Sequence, residues 1–358
     1  MLKRNRLISG FIQFANRYFG WRGWAVLTYN SVIENVFLFF YIALQKKLSG
    51  KWFLFYFFTF FLFSAASTTY GYLVNDFADK ELDLFHGKDN TFVSDSKTKA
   101  AFVVLLSLFL SIVFGMFFVR ENFFLGLWIC WALVATFYSL KPIRLKEKGK
   151  IGLFCVVIAQ RVLPTLLIFA AFQYFRPPDV ILFTIYIFFR GLSSDLNHQL
   201  EDYEKDADTG TGTYTVQAGF QKARKFFRFS LEAEKALLFI CLINMCVQTG
   251  SLKSNPASFL FPLFAVYVVL YGLSWWQIVR HKGNVDVNPY VRGSRNVFHF
   301  IHHTFPSVLL PLYLLVLLAL RDWTFAVPLL FLAVYRKLYS IELIQKSLSS
   351  LRIQPKTP

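Results

Sequence analysis

Long apolar stretches, most of them without a charged residue, follow one another along almost the whole chain. They begin near residues 24, 52, 101, 123, 151, 180, 231, 259 and 304, and a shorter one covers 324–335. A helix needs roughly 20 consecutive apolar residues to cross a bilayer. We therefore predict an all-α polytopic membrane protein, a bundle of nine transmembrane helices around a central cavity, with 324–335 as the candidate for a tenth.

The composition excludes several other classes of protein. Of 358 residues, 56% are hydrophobic and only 16% are charged, which is more apolar sequence than one soluble core uses and rules out a disordered chain. The four cysteines lie inside apolar stretches without paired-ligand spacing, so we predict neither disulfides nor a zinc site. We expect a basic, interfacial segment at 1–22, one membrane domain at 23–340 and a polar tail at 341–358.

The net charge of +17 has an uneven distribution along the chain. On a soluble protein such an excess would suggest binding to nucleic acid. Here 23 basic residues lie before the first span and in the loops after spans two, four, six and eight, whereas the opposite loops hold seven. By the positive-inside rule the richer side is cytoplasmic. We therefore expect contacts with anionic membrane lipids rather than nucleic acid, and a location in the inner membrane of a bacterium.

The loop after the second span opens with an acidic motif, Asn75-Asp76-Phe77-Ala78-Asp79-Lys80-Glu81-Leu82-Asp83. If the helix of this span continues for two turns, Asp76, Asp79 and Asp83 share one face. Three carboxylates on one stripe repel each other unless a cation lies between them, and Mg²⁺ binds one or two carboxylates together with water and phosphate oxygens. The first acidic motif (75–83) therefore suggests a Mg²⁺ site, with a solvated acidic helix end as the alternative.

A second acidic motif follows the sixth span, where Asp202 and Asp206 are four residues apart. Of the 21 acidic residues, 12 belong to these two motifs and their borders, although a solubilising role would spread them over all the loops. The order of the spans puts both motifs on the same side of the membrane. They can face each other across one cavity mouth, which fits two Mg²⁺ ions that bind one diphosphate.

A basic loop (138–149) lies between the two acidic motifs in the sequence and on the same side. Lys141, Arg144 and Lys146 suit the outer oxygens of a diphosphate leaving group, because arginine and lysine form strong charge-assisted hydrogen bonds with phosphate. The alternative is a basic loop that only sets the membrane orientation.

These three segments resemble the UbiA-type intramembrane prenyltransferases. The first acidic motif matches that superfamily's NDxxDxxxD signature, the second is similar to its later DxxxD motif with a following Gly/Thr segment, and the basic loop matches in position. The resemblance covers about residues 20–320. It implies an enzyme that ionises an isoprenoid diphosphate with Mg²⁺ and passes the allylic cation to an acceptor inside the membrane.

On this basis we assign roles to the residues of the motifs. Asp76, Asp79 and Asp83 are expected to hold one Mg²⁺, supported by Asn75, while Asp202 and Asp206 hold the other. Lys141, Arg144 and Lys146 would neutralise the departing diphosphate. The acceptor is expected to be lipophilic, with an aromatic compound or a quinone precursor as the first candidate.

Several polar residues interrupt the apolar spans. Asn30 and Glu34 are four residues apart in the first span, and Arg161 lies in the fifth. Ionisable residues inside a membrane are costly and mark functional sites by default. They are candidates to orient a polar group of the acceptor, and a purely structural Glu–Arg pair is the alternative. His299, His302 and His303 are expected to anchor the ninth span at the interface rather than to bind a metal.

Three other functions remain open at this point. The same fold could transfer a phosphosugar onto a polyprenyl phosphate, or cyclise an isoprenoid. A lipid transporter or lipid-binding protein would instead have a site near the bilayer midplane and broken helices. The carboxylates of this chain cluster at one membrane face, which favours the enzyme.

Overall fold

The computed structural model describes residues 2–20, 30–85, 87–120, 122–249, 260–281, 287–291 and 296–338. Every longer regular element among them is a helix. The helices are α1 (Leu2–Tyr18), α2 (Phe37–Lys46), α3 (Gly50–Phe85), α4 (Lys97–Gly115), α5 (Asn122–Ser139), α6 (Lys150–Ala171), α7 (Pro177–Glu201), α8 (Tyr203–Asp208), α9 (Tyr214–Ala218), α10 (Phe220–Gln248), α11 (Phe261–Arg280), α12 (Val297–Arg321) and α13 (Ala326–Tyr335).

Each predicted apolar stretch has its described residues mainly on one of these helices. By length and composition α3, α4, α6, α11 and α12 can each cross a membrane. The apolar helices α2, α5 and α13 are shorter. The prediction of an all-α polytopic membrane protein is confirmed, while the number of crossings stays a prediction.

The first predicted span is not one continuous helix in its described part. Residues 21–29 lie outside the described residues, and a single helical turn, Ser31–Glu34, is separated from α2 at positions 35 and 36. The side chain of Asn30 starts this turn by accepting a hydrogen bond of 2.8 Å from Val32 N. An asparagine side chain that accepts a hydrogen bond from a backbone amide two residues later caps a helix start, so this turn begins at Ser31.

The chain divides into two compact units. The first unit comprises Met1–Glu34, Phe57–Gln173 and His198–Arg224, and the second comprises Asn35–Tyr56, Tyr174–Asn197 and Lys225–Pro358. The first unit contains both acidic motifs and the basic loop. Its core joins helices that are distant in sequence and includes Tyr18 of α1, Tyr70 and Leu73 of α3, Val103 of α4 and Trp131 of α5.

The second unit contains a buried polar network. Glu234 of α10 contacts His302 of α12, with 2.7 Å between Oε1 and Nδ1, and it also accepts a hydrogen bond of 3.1 Å from Ser193 Oγ. Arg190 of α7 donates to the backbone oxygen of His302 at 2.7 Å. His302 is therefore buried and paired, so the expectation that it anchors the span at the interface is wrong for this residue.

Candidate active site

Helix α3 continues without a break through the first acidic motif. Its 36 residues extend for about 54 Å, which is longer than the hydrocarbon core of a bilayer. The predicted two extra helical turns are confirmed, so Asp76, Asp79 and Asp83 share one face of α3. Asp76 is only 3% exposed and Asp79 is also buried, which excludes the alternative of a fully solvated acidic helix end.

The loop after α3 folds back onto the first acidic motif. Asp76 Oδ2 accepts hydrogen bonds from Thr91 Oγ1 at 2.6 Å and from Thr91 N at 3.1 Å. The Asn90 amide donates to Asp83 Oδ2 at 2.8 Å and to the backbone oxygen of Asp76 at 2.8 Å. Two of the three carboxylates are thus oriented by neighbouring residues of one loop, the 87–96 loop.

The third carboxylate, Asp79, is bound by the basic loop. Lys146 Nζ contacts Asp79 Oδ2, and Arg144 Nη2 lies 3.0 Å from Asp79 Oδ1. Lys146 Nζ also donates to Asn75 Oδ1 at 3.1 Å. The structure therefore brings the first acidic motif and the basic loop together, while Lys141 lies exposed on the turn before Arg144.

The two cations respond differently to this environment. Burial lowers the pKa of Lys146, and the charge of Asp79 only partly offsets that effect. Burial also disfavours the charged form of Arg144, but Glu147 and Asp79 outweigh it and raise the pKa of that guanidinium. Arg144 is thus a permanent cation at this site, whereas Lys146 can lose its proton more easily than an exposed lysine.

The second acidic motif lies where α7 ends. Asp202 is the residue between α7 and α8, and Asp206 lies within α8 one turn later, with 2.8 Å between Asp206 N and Asp202 O. Burial and the charge of Asp202 raise the pKa of Asp206, whereas Thr213 and Lys88 act in the opposite direction. Lys88 belongs to the 87–96 loop, whose Asn90 and Thr91 contact the first acidic motif.

The basic loop also contacts the Gly/Thr loop (209–213) that follows the second acidic motif. Gly149 N donates a hydrogen bond of 3.0 Å to Gly212 O, and Gly149 pairs with Thr213 in an isolated bridge. A Cβ atom at Gly212 would lie 2.8 Å from Glu147 O, so the close approach requires glycine. Within the first unit, the basic loop therefore contacts both the first acidic motif and the Gly/Thr loop that follows the second acidic motif.

The donor atoms at this site suit a hard cation that is shared with a ligand. Among the residues that the structure describes, no group of three or more Asp, Glu, His or Cys side chains is arranged to hold a metal by itself. Mg²⁺ rarely uses an all-protein cage, since it usually binds one or two carboxylates together with water and phosphate oxygens. The carboxylates of the two motifs fit that mode of binding.

A cavity of about 550 Å³ opens beside the first acidic motif. Asp76 lines it together with Lys88, Asn90 and Thr91 of the 87–96 loop, and Arg17 of α1 lies on its wall. The cavity places carboxylate, amide and cationic groups around one polar space. A ligand bound in this cavity would contact Asp76 of the first acidic motif directly.

Within the first unit, two of the predicted polar residues of the spans contact each other, and the third, Asn30, contacts α3. Arg161 and Glu34 form an ion pair, and Arg161 lies on a π-helical segment of α6, Ile158–Val162. Asn30 donates hydrogen bonds of 3.0 Å to Ser64 Oγ and to Thr68 Oγ1. Thr68 and Asp76 lie on the same helix, about 12 Å apart along its axis. Ser64 and Thr68 line a small cavity of about 20 Å³, which has room for one water molecule.

The sequence motifs alone did not identify all the residues around the site. Asn90, Thr91 and Lys88 lie in an irregular loop, and the sequence does not predict their contacts because these depend on how the loop folds back. Their polarity so soon after an acidic helix was the only available signal.

Comparison with known proteins assigns the family. A model of the UbiA prenyltransferase family matches residues 35–288, which include both acidic motifs and the basic loop. This chain belongs to the UbiA prenyltransferase family. It is therefore a prenyltransferase and an integral, multi-pass membrane protein, as its motifs predicted.

Solved structures of UbiA homologues share the fold. One from Archaeoglobus fulgidus, described as bound to GPP and Mg²⁺, is 16% identical, covers 81% of this chain and 97% of its own, and has a TM-score of 0.51. Another from the same organism, bound to Cd²⁺, is 18% identical over 79% of this chain and 96% of its own, with a TM-score of 0.50. A search of curated protein sequences found no match.

Proposed function

We propose that this UbiA-family protein ionises an isoprenoid diphosphate with Mg²⁺ and transfers the prenyl group to a lipophilic acceptor. The observation that carries the proposal is the contact of Asp79 with both Arg144 and Lys146, because it joins the acidic and basic motifs at one site. The two Archaeoglobus fulgidus homologue structures described as bound to GPP and Mg²⁺ and to DMAPP and Mg²⁺ support the same ligands here.

Two Mg²⁺ ions would bind through the two acidic motifs. Asp76, Asp79 and Asp83 would hold one ion, with Asn75 beside them, and the second motif would hold the other through Asp202 and Asp206. Bound Mg²⁺ supplies positive charge that makes the diphosphate a better leaving group. The donor set supports this assignment, since it consists of carboxylate oxygens without thiolates.

The basic loop would bind the diphosphate itself. Arg144 and Lys146 already lie against Asp79, so a diphosphate that enters the site meets two cations held in place before it binds. Lys141, on the exposed turn, would contact it from the solvent side. Preorganised charge of this kind is most effective where departing negative charge develops.

The acceptor would be a lipid-soluble molecule, with an aromatic compound or a quinone precursor as the first candidate. Asn30, Glu34 and Arg161 would orient its polar group, since they lie in the same unit as the acidic motifs. The excess of basic residues in the loops of the motifs supports a site on the cytoplasmic side, and a bacterial inner membrane is the expected location.

The test uses purified protein in lipid nanodiscs with Mg²⁺ and geranyl diphosphate, with release of diphosphate as the readout. Asp76→Asn and Asp202→Asn should each abolish release. Glu81→Gln is the matched control, because Glu81 lies in the first acidic motif but is 89% exposed in its side chain. Equal turnover in all the variants would overturn the two-metal site.

The products distinguish this proposal from other functions. Transfer to an acceptor yields a prenylated lipid, whereas cyclisation yields a hydrocarbon or alcohol and no acceptor adduct. A phosphosugar transferase would consume polyprenyl phosphate and a sugar diphosphate instead. A transporter or lipid-binding protein would release no diphosphate from any of these substrates.

A further inference from the structure

Asp95, near the end of the 87–96 loop, anchors this loop to the neighbouring helices. This carboxylate is buried, with 6% of the residue exposed, and it accepts hydrogen bonds from three side chains. Tyr18 OH lies at 2.8 Å, Arg17 Nη2 at 2.9 Å and Lys99 Nζ at 2.8 Å from its oxygens. Asp95 therefore joins the N-terminal helix α1 to the start of α4.

The backbone around Asp95 is held as well. Lys80 of α3 donates to the backbone oxygen of Asp95, and Arg17 donates to Ser94 Oγ at 2.9 Å. Phe92 is fully buried, and its ring centroid lies 6.1 Å from that of Tyr18 and 6.5 Å from that of Phe77. The segment between Thr91 and Asp95 is thus fixed against α1 and α3 by polar and apolar contacts.

Two other residues of the same loop, Thr91 and Asn90, orient carboxylates of the first acidic motif. The hydrogen bond of 2.6 Å from Thr91 Oγ1 to Asp76 Oδ2 has a charged acceptor, so it is among the stronger side-chain hydrogen bonds. It restricts the rotation of the Asp76 carboxylate. The bond from Asn90 does the same for Asp83.

We propose that Thr91 and Asp95 are positioning residues of the diphosphate site: Thr91 orients Asp76 toward its cation, and Asp95, bound by Arg17 and Tyr18, holds the loop that carries Thr91. The inference rests on the proposed role of Asp76 as a Mg²⁺ ligand. It makes α1 a functional part of the site, in addition to a segment at the membrane surface. Mutation of a residue that orients a metal ligand typically lowers the affinity for the metal about 10- to 100-fold.

The position of α1 agrees with this role. Asn16, Arg17 and Gly20 form one wall of the cavity of about 550 Å³ that Asp76 also lines. Loss of the contacts at Asp95 would release this wall and the 87–96 loop together. The consequence at the site would be a weaker cation site, without any change in its ligands.

The first experiment changes Thr91 and measures binding of Mn²⁺, as a paramagnetic probe for Mg²⁺, with inorganic diphosphate present and no isoprenoid. Thr91→Val removes the hydroxyl at nearly constant volume and should weaken Mn²⁺ binding about tenfold or more. Thr91→Ser keeps the hydroxyl and should bind Mn²⁺ nearly as tightly as the wild type. Thr98→Val, at an exposed threonine in the first turn of α4, is the matched control and should have no effect.

The second experiment tests the contribution of α1. Tyr18→Phe and Arg17→Met each remove a donor to Asp95, and each should weaken Mn²⁺ binding about fivefold, the effect of one lost hydrogen bond. A lower melting temperature with unchanged Mn²⁺ affinity would show that α1 only stabilises the protein, and would overturn its part in the site. Wild-type affinity in Thr91→Val would overturn the role of Thr91.

These outcomes differ from a failure of the proposed function. If Thr91→Val weakens Mn²⁺ binding but the wild type releases no diphosphate from any isoprenoid diphosphate, the inference holds and the proposed reaction is wrong. If the wild type releases diphosphate and the variants keep its Mg²⁺ dependence and Mn²⁺ affinity, the reaction stands and the inference is wrong.

Discussion

Arg144 Nη2 lies 3.0 Å from Asp79 Oδ1, and each of the two side chains is 10% exposed. The middle carboxylate of an acidic helix is thereby joined to a loop that begins more than fifty residues later. Because Arg144 also contacts Glu147, with 2.5 Å between the two groups, its guanidinium is held on two sides. It is therefore positioned before any substrate arrives.

Replacing Arg144 by Gln should raise the KM for the isoprenoid diphosphate by about 10- to 100-fold, because hydrogen bonds to charged groups contribute about 1.5–3 kcal/mol. The side-chain amide keeps some hydrogen-bonding capacity but not the charge. Initial rates over a range of diphosphate concentrations measure the effect. Arg224→Gln, at an exposed arginine of α10, provides the control, and an equal KM in the two variants would contradict the role of Arg144.

The lowered pKa of Lys146 predicts that activity falls at alkaline pH. Burial lowers its pKa below the ordinary lysine value, so it loses its charge at a lower pH than an exposed lysine does. The value of kcat/KM for the diphosphate should therefore fall as pH rises through that lowered pKa, since kcat/KM reports ionisation of the free enzyme. In Lys146→Arg the charge persists, so the fall should move to higher pH. If kcat/KM fell over the same pH range in both proteins, the ionisation would belong to another group.

The spacing of charged residues predicted the shared face of the first acidic motif. Once α3 continues beyond its apolar part, the spacing of Asp76, Asp79 and Asp83 places them on one face, because helical geometry alone sets which residues share a face. The sequence also left two explanations open for Glu34 and Arg161, and the structure shows that they pair. Pairing does not decide between a structural role and a role in binding the acceptor.

The contacts made by loops could not be predicted in the same way. Thr91 reaches Asp76 across 15 positions, and Gly149 reaches Gly212 across 63, through irregular segments with no repeating pattern. A periodic pattern predicts which residues share a face, but it carries no information on how a loop returns. The burial of His302 against Glu234 was missed for a similar reason, because the partner lies on another helix.

Helix α6 passes very close to the basic loop at Gly152. A Cβ atom at this position would lie 2.6 Å from Leu145 O and 3.0 Å from Lys146 O, both of them backbone atoms. Gly152→Ala should therefore displace the loop, lower stability by about 1–3 kcal/mol through overpacking, and raise the KM for the diphosphate.

The control for this prediction is Gly126→Ala in α5, where a Cβ atom would meet nothing within 4 Å. Alanine favours a helix over glycine by about 1 kcal/mol, so this variant should be at least as stable as the wild type. Thermal unfolding in detergent and steady-state kinetics measure both effects. Equal behaviour of the two alanine variants would show that the basic loop tolerates displacement.

The ion pair between Glu34 and Arg161 allows a test that separates stability from binding of the acceptor. Removing one partner of a buried pair leaves a charge without its counterion and costs about 3–5 kcal/mol, whereas replacing both by apolar residues is often neutral. Arg161→Met should therefore lower the melting temperature, and Glu34→Met/Arg161→Met should restore it. If the pair also orients the acceptor, the double variant should release diphosphate but transfer less of the prenyl group to lipids extracted from the host membrane. Normal transfer by a stable double variant would make the pair purely structural.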